Sequence, residues 1–183
     1  EIDERVSYDG KVIKKVDYET IKIAINECKK NNVQAIGVCL LWSISNPKHE
    51  KKIGEMIKKE LPNVEFTLSH ELNPTLREYR RAISTCLDAS LKPLMFNYLN
   101  SLETRLRTEG FKGKVFMVTS QGGINNASEI AKTPIHSLGS GPAMAPVAGK
   151  HFANSKLQNK NIIVADTGGT SYDVSLVRGN IIP

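Results

Sequence analysis

Apolar residues recur along this chain with two different periods, and the switches between them predict its elements. Residues 1–16 alternate loosely around Asp9-Gly10, a pair favoured in two-residue hairpin turns. From Asp17, a good N-cap, the period lengthens: Ile21, Ala24, Ile25 and Cys28 share one helical face before Asn31-Asn32 ends it. Val33 to Trp42 is a nearly continuous apolar run and predicts a strand buried on both faces. Asn46-Pro47 opens a second helix with Ile53, Met56, Ile57 and Leu61 as its buried stripe, and Pro62 follows. Val64 to Leu68 alternates again. Helix, strand, helix, strand at this spacing predicts parallel strands with right-handed crossovers, hence a small α/β subdomain over residues 1–72.

Residues 73–183 read as a second region. Ser69-His-Glu-Leu-Asn-Pro74 leads out of the first layer through polar residues. From Leu76 to about Gly110 the pattern is helical, with Leu91, Leu94, Met95, Tyr98, Leu99, Leu102 and Leu106 predicted as the buried stripe. Pro93 starts a second helix or kinks the first, and Gly110 is a suitable stop. Val115 to Val118 predicts a short buried strand ending at Ser120-Gln-Gly-Gly123. Asn126-Ala-Ser-Glu129 has the form of a cap with a capping-box acid, opening a short helix closed by Pro134. Ser140-Gly-Pro142 opens another helix, whose Ala143, Ala145, Ala148 and Gly149 allow close approach of a neighbour.

The last stretch combines period and chemistry. Ile162 to Ala165 predicts a buried strand running into Asp166, and Tyr172 to Val177 a second, with Val174 and Leu176 on one face. Between them Thr167-Gly168-Gly169-Thr170 is a tight turn, where paired glycines permit φ > 0 and close approach to a ligand. Arg178-Gly179-Asn180 then turns the chain into Ile181-Ile182.

Composition narrows the classes. Of 183 residues, 40% are apolar and 24% charged, an ordinary globular balance sufficient for one domain or two small ones. No apolar run approaches a membrane span, no segment resembles a signal peptide, and a cytoplasmic protein with no membrane contact is expected. The net charge of +6 arises from scattered basic doublets on polar helix faces, which reads as solvated surface and not as a nucleic-acid site. Cys28, Cys39 and Cys86 are far apart and set among apolar residues, so reduced core thiols are predicted. A start at Glu1 without methionine and a stop just after a strand read as a piece of a longer protein.

Four constellations carry candidate chemistry. At the hairpin, backbone amides around Gly168 and Gly169 suit an anion, Thr170 and Ser171 can donate to phosphate oxygens, and Asp166 can hold Mg²⁺ through water. Asp173 either assists there or pins the turn. Ser140-Gly141 at a helix start is either an anion site or a simple cap. Gln121, Gly122 and Gly123, at the carboxyl end of a strand, read equally as a ligand loop or a glycine turn. His70, Glu71, Arg77, Glu78 and Arg80 either bind a polar substrate or form a surface ion-pair lattice. Zinc is not expected, because His70 and Glu71 lack metal-ligand spacing.

The string Asp166-Thr-Gly-Gly-Thr-Ser-Tyr-Asp173 resembles a phosphate hairpin of the actin, hexokinase and Hsp70 ATPase superfamily, and looks most like its hydantoinase A and 5-oxoprolinase branch. Ser69 to Arg81, Ser120 to Gly123 and Ser140 to Ala143 agree in order and spacing, although Met144-Ala145-Pro146 replaces the usual glycine pair. The resemblance implies an incomplete actin-like (ribonuclease H-like) α/β ATPase domain that uses ATP and Mg²⁺. The first phosphate hairpin would lie before Glu1 and the adenosine segment after Pro183, so this piece alone should be inactive. It implies that the parent phosphorylates a carbonyl or amide oxygen and opens a cyclic amide. An acetone/acetophenone-type carboxylase subunit, or a non-enzymatic actin-like module, is the alternative. Implied partners are the remainder of the polypeptide, a hydantoinase B-type subunit, a small-molecule substrate and, as an option, further copies of the chain.

Overall fold

A computed structural model of the chain describes residues 1–156, 161–179 and 181–182; the expectation for Asn180 lies outside them. The chain divides into two compact units, Glu1–Arg105 with Ala131–Ile135, and Leu106–Ile130 with His136–Pro183.

The first unit is a small α/β layer. The strands β1 (Arg5–Val6) and β2 (Val12–Lys14) pair antiparallel as predicted, across a turn in which Gly10 takes φ +82°. Asp17 caps α1 (Tyr18–Lys30) by accepting the Glu19 N–H at 2.9 Å. The strands β3 (Ala35–Val38) and β4 (Glu65–Leu68) pair in parallel, with Val38 opposite Leu68, and α2 (Lys48–Glu60) connects them. The N-cap of α2 is Pro47, one residue later than predicted, and Asn46 Oδ1 just before it accepts the Lys48 N–H at 3.2 Å. The core collects Val16, Ile21, Ile25, Val38, Ile53, Ile57 and Leu68 from all these elements. Each such side chain contributes roughly 1.5–3 kcal/mol on burial.

Three expectations are corrected here. The run Val33–Trp42 supplies only four strand residues, and Gly37 within them is exposed. After Val38 the backbone of Leu40 is claimed by side chains: its N–H donates to Glu50 Oε1 at 2.7 Å and its carbonyl accepts from Arg81 at 2.6 Å. The chain then turns, with Trp42 at φ +59°. Cys86 is exposed, not a core thiol, although its Sγ lies against Gly37 of β3, while Cys28 and Cys39 are half-buried.

The third concerns α4 (Glu78–Thr108), which follows the single turn α3 (Ser69–Leu72) and runs unbroken through Pro93. Its predicted stripe is only partly covered: Leu99 is buried and Leu91, Met95, Leu102 and Leu106 are half-buried, but Leu94 and Tyr98 are exposed. The buried face is Arg81, Thr85, Asp88 and Ala89, polar for the most part. Thr67 Oγ1 donates to Asp88 at 2.7 Å, tying α4 to β4, so the first compact unit continues to Arg105 where hydrophobic pattern had ended it at residue 72. Gly110 stops the helix at φ +85°: its N–H bonds Arg107 O at 3.0 Å and the Phe111 N–H bonds Leu106 O at 2.9 Å, the two reverse bonds of a Schellman cap.

In the second unit β5 (Phe116–Val118) and β6 (Ile124–Asn126) form an antiparallel hairpin, followed by α5 (Ala127–Lys132). The strand β6 interrupts the predicted loop, placing Asn126 in a ladder before α5. The helix α6 (Ser140–Lys156) contains Pro146, and β7 (Asn161–Thr167) pairs antiparallel with β8 (Tyr172–Arg178). Small residues do bring α6 close: a Cβ on Gly149 would stand 2.3 Å from Val164 Cγ2. The predicted full burial of Ile162–Ala165 is not found, and Ile163 is 72% exposed. A two-stranded sheet covered by one helix buries only alternate residues.

Candidate functional site

The register of β7 and β8 sets the site. Ala165 faces Val174, Asp166 faces Asp173, and Thr167 faces Tyr172. Side chains alternate along a strand, so Asp166 and Asp173 share a face with Val164, the residue against α6. Two carboxylates directly opposed repel unless something offsets their charge. Ser171 Oγ donates to Asp173 Oδ2 at 3.0 Å, satisfying one of four oxygens. Asp166 is exposed and open to a ligand.

The turn itself is closed by one bond, Gly168 N–H to Ser171 O at 2.9 Å. The Gly169 and Thr170 amides make no hydrogen bond among the described residues. The conformational expectation is corrected: neither Gly168 nor Gly169 takes a positive φ. Neither is needed for internal packing either. A Cβ on Gly169 would meet nothing, and one on Gly168 would meet only Ser171 O, at 3.7 Å. No contact among the described residues explains this pair of glycines.

Beside β8 lies a cleft of about 770 Å³, lined by Gln121 and Gly122, by Pro142 and Ala143 of α6, and by Asp173 and Ser175. Gln121 and Gly122 reach it because Thr119–Gly123 is a tight turn, with the Gly122 N–H on Thr119 O at 3.0 Å and Gly122 at φ +75°. Gly123 is held by its N–H on Thr119 Oγ1 at 3.3 Å. Ser175 Oγ, shielded from solvent, has no hydrogen-bond partner. Sequence reasoning missed Ser175; its signal was its place two residues beyond Asp173 on the same face. Asp166, Gly168, Gly169, Thr170 and Ser171 lie at the hairpin end outside the cleft lining; Ser140 and Gly141, which start α6, are also outside it. A cavity of about 410 Å³ in the first unit is lined mainly by apolar core residues such as Ile21, Ile25 and Val38, and offers little for catalysis.

The group around His70 is dispersed within the first unit. His70 Nδ1 contacts Glu50 Oε2 at 2.6 Å, and its Nε2 lies 3.6 Å from Glu71 Oε1, without a hydrogen bond. Arg77, Arg80 and Glu71 are exposed, with Arg77 at φ +76° just before α4; Glu78 is half-buried. The buried members are Glu50, 0% exposed, and Arg81, 1% exposed. Burial pushes the Glu50 carboxyl up, but Ser69, His70 and the Leu40 and His70 amides donate to it and hold it below the usual range. Arg81 donates to Ser69 Oγ at 3.1 Å, Thr75 O at 3.1 Å and Leu40 O at 2.6 Å. Glu50 was missed, although it sits three and seven residues before Ile53 and Ile57, on the apolar face of α2.

Against known proteins, the profile described as hydantoinase/oxoprolinase matches residues 81–182, and that of the hydantoinase/oxoprolinase N-terminal region matches residues 1–61. The chain belongs to the hydantoinase/oxoprolinase family. The acetophenone carboxylase gamma subunit of Aromatoleum aromaticum is 34% identical over 95% of this chain and 24% of its own length. Caprolactamase subunit alpha of Pseudomonas jessenii is 32% identical over 96% of this chain and 25% of its own. The crystal structure of that ATP-dependent caprolactamase superposes with a TM-score of 0.87 over 96% of this chain. The 5-oxoprolinase of Saccharomyces cerevisiae is 30% identical over 90% of this chain and 12% of its own length. The chain thus spans about a quarter or less of these relatives. Both family segments are mixed α/β, and no helix among the described residues is long and apolar enough to cross a membrane.

Proposed function

We propose that this chain carries the phosphate-handling hairpin of an ATP-dependent enzyme that activates a carbonyl or amide oxygen, with a cyclic amide as substrate. The observation that carries the reading is the hairpin end. Two opposed carboxylates, two unused amides and two glycines with no internal role converge there. In this reading the Gly169 and Thr170 amides donate to phosphate oxygens, and the bare glycines let those oxygens come close. Asp166 and Asp173 offer the hard oxygen donors that Mg²⁺ takes, and a cation there removes their mutual repulsion. When bound, Mg²⁺ would neutralise charge on a transferring phosphoryl group. Gln121, Gly122 and the unpartnered Ser175 hydroxyl line the adjoining cleft and orient what lies in it, with Gly123 holding the turn. Ser140 and Gly141 carry first-turn amides suited to a further anionic group. Exposed Arg77 and Arg80 remain candidates for holding a polar substrate, together with His70, Glu71 and Glu78.

Names of the relatives support the substrate class: caprolactam and 5-oxoproline are cyclic amides, and the caprolactamase is ATP-dependent. We place the hairpin as the second of the two phosphate hairpins of an actin-like ATPase domain. The subunit names of the caprolactamase and carboxylase relatives favour a parent that works with a second, hydantoinase B-type subunit. A ketone carboxylase is the second reading, favoured by the 34% identity to the acetophenone carboxylase subunit.

The test is ADP release by the complete polypeptide, with its partner subunit where one is needed, against lactams, hydantoins, 5-oxoproline, and small ketones with bicarbonate. Stimulation by a cyclic amide is expected, and Asp166→Ala should lower it on the order of 100-fold, the scale of losing one charge-stabilising group. Stimulation only by a ketone with bicarbonate assigns the second reading. Unchanged release by the Asp166 variant removes that residue from the site.

A further inference from the structure

Among the described residues of the first unit, His70 Nε2 is the single buried side-chain nitrogen or oxygen without a hydrogen-bond partner. The ring is held from its other side. Glu50 accepts backbone N–H bonds on both oxygens, from Leu40 on Oε1 at 2.7 Å and from His70 on Oε2 at 3.1 Å. Its carboxyl, held below the usual range, has no proton to give. The 2.6 Å contact between Glu50 Oε2 and His70 Nδ1 therefore fixes the tautomer. Nδ1 carries the proton, and Nε2 of the neutral ring presents a lone pair.

That lone pair wants a donor. Its neighbour Glu71 Oε1, 3.6 Å away, is itself an acceptor and cannot supply one. The His70 side chain is 8% exposed and that of Glu71 63%, so Glu71 lies on the solvent side, and a turn of its side chain toward water uncovers the nitrogen. No group of three metal-binding side chains forms around it among the described residues. His70 stands two residues beyond Leu68, at the carboxyl end of the parallel β3–β4 pair, the end at which α/β sheets take ligands.

We propose that His70 Nε2 accepts the N–H of a cyclic amide, with the ring held by Glu50 and Glu71 swinging aside to admit the ligand. Lactams, hydantoins and 5-oxoproline carry such an N–H beside the carbonyl, and a ketone carries none. The inference rests on the reading above for the identity of the ligand, whereas the need for a donor comes from the ring itself.

Carbethoxylation of His70 by diethyl pyrocarbonate, read by peptide mass spectrometry, tests it in the complete polypeptide, with its partner subunit where one is needed. The probes are ε-caprolactam, 5-oxoproline and hydantoin, each beside its fully N-methylated counterpart. The amide that stimulates ADP release should slow labelling of His70 about 10-fold at ten times its Kd, and the methylated counterpart should not. Glu71→Ala should speed labelling of the unliganded protein. His70→Asn keeps a donor toward Glu50 and lacks Nε2, and should weaken binding of that amide in calorimetry on the order of 10-fold, the scale of one hydrogen bond. An amide that stimulates ADP release but leaves His70 labelling unchanged overturns the inference while the reading above stands, and so does equal protection by the methylated counterpart. Labelling no faster in Glu71→Ala also overturns it, since another group then closes the nitrogen off. Stimulation by none of the amides removes the reading above, and this inference with it.

Discussion

The two units dispose of their polar groups in opposite ways. In the first, the buried charges are consumed internally: Glu50 accepts from four donors and Arg81 donates to three acceptors, reaching the segment after β3, α3 and the segment before α4. In the second, polar capacity is left over. Two facing carboxylates, two amides and a shielded hydroxyl lack sufficient partners around the β7–β8 hairpin and its cleft. A dense cluster of charges therefore serves architecture in one region, while the other keeps polar groups that the proposed reading assigns to a ligand.

The largest way to break this contrast is to remove a member of the first network. Arg81→Met removes three hydrogen bonds made by a buried side chain, to Ser69 Oγ, Thr75 O and Leu40 O, leaving the Thr75 carbonyl without this donor, and should destabilise the first unit by about 3–5 kcal/mol in urea unfolding. A loss below about 1 kcal/mol would show that the network is not structural. In the second unit Gly149→Ala drives a methyl into Val164, and overpacking should cost about 1–3 kcal/mol. Val164→Ala in the same chain should restore most of that loss.

The pH dependence sharpens the same contrast. Glu50 is held below its ordinary value when folded, so its contribution is complete above the unfolded carboxyl's range and is lost as pH falls through the lower folded value. Acid unfolding of the first unit should therefore have a steep limb in that window, and Glu50→Gln should flatten it. The smallest stability effect belongs to Gly169→Ala, within about 0.5 kcal/mol, because the added methyl meets nothing. Its effect should instead fall on nucleotide affinity in the complete polypeptide, measured by calorimetry. Unaltered affinity would count against phosphate approach at that turn.

Local signals were legible where the backbone obeys short-range rules. Asp17 and Gly110 each do what their chemistry predicts, the chain turns at Asp9-Gly10 though through a three-residue loop closed by Ser7 and Lys11 in place of a two-residue turn, and the β3–β4 pair is parallel as the spacing required. The β7–β8 hairpin was legible as strand, turn and strand, and its register added what spacing alone left open, Asp173 directly opposite Asp166. What escaped was long-range. The polar inner face of α4 cannot be found from hydrophobic periodicity, because Arg81 and Asp88 are buried by partners 41 and 21 residues away. The same blindness shortened β3, whose continuation at Leu40 was taken by Glu50 and Arg81.

Ser69 has a single hydrogen to give, and it points at Glu50, 2.6 Å away. Arg81 Nε at 3.1 Å and Ser43 Oγ at 3.3 Å can then only point theirs at Ser69. The relay from guanidinium to carboxylate consequently has a fixed head and tail, with Ser43 oriented as a by-product. Three elements distant along the chain are thereby keyed together by the sense of a few protons as well as by the fit of their carbon atoms.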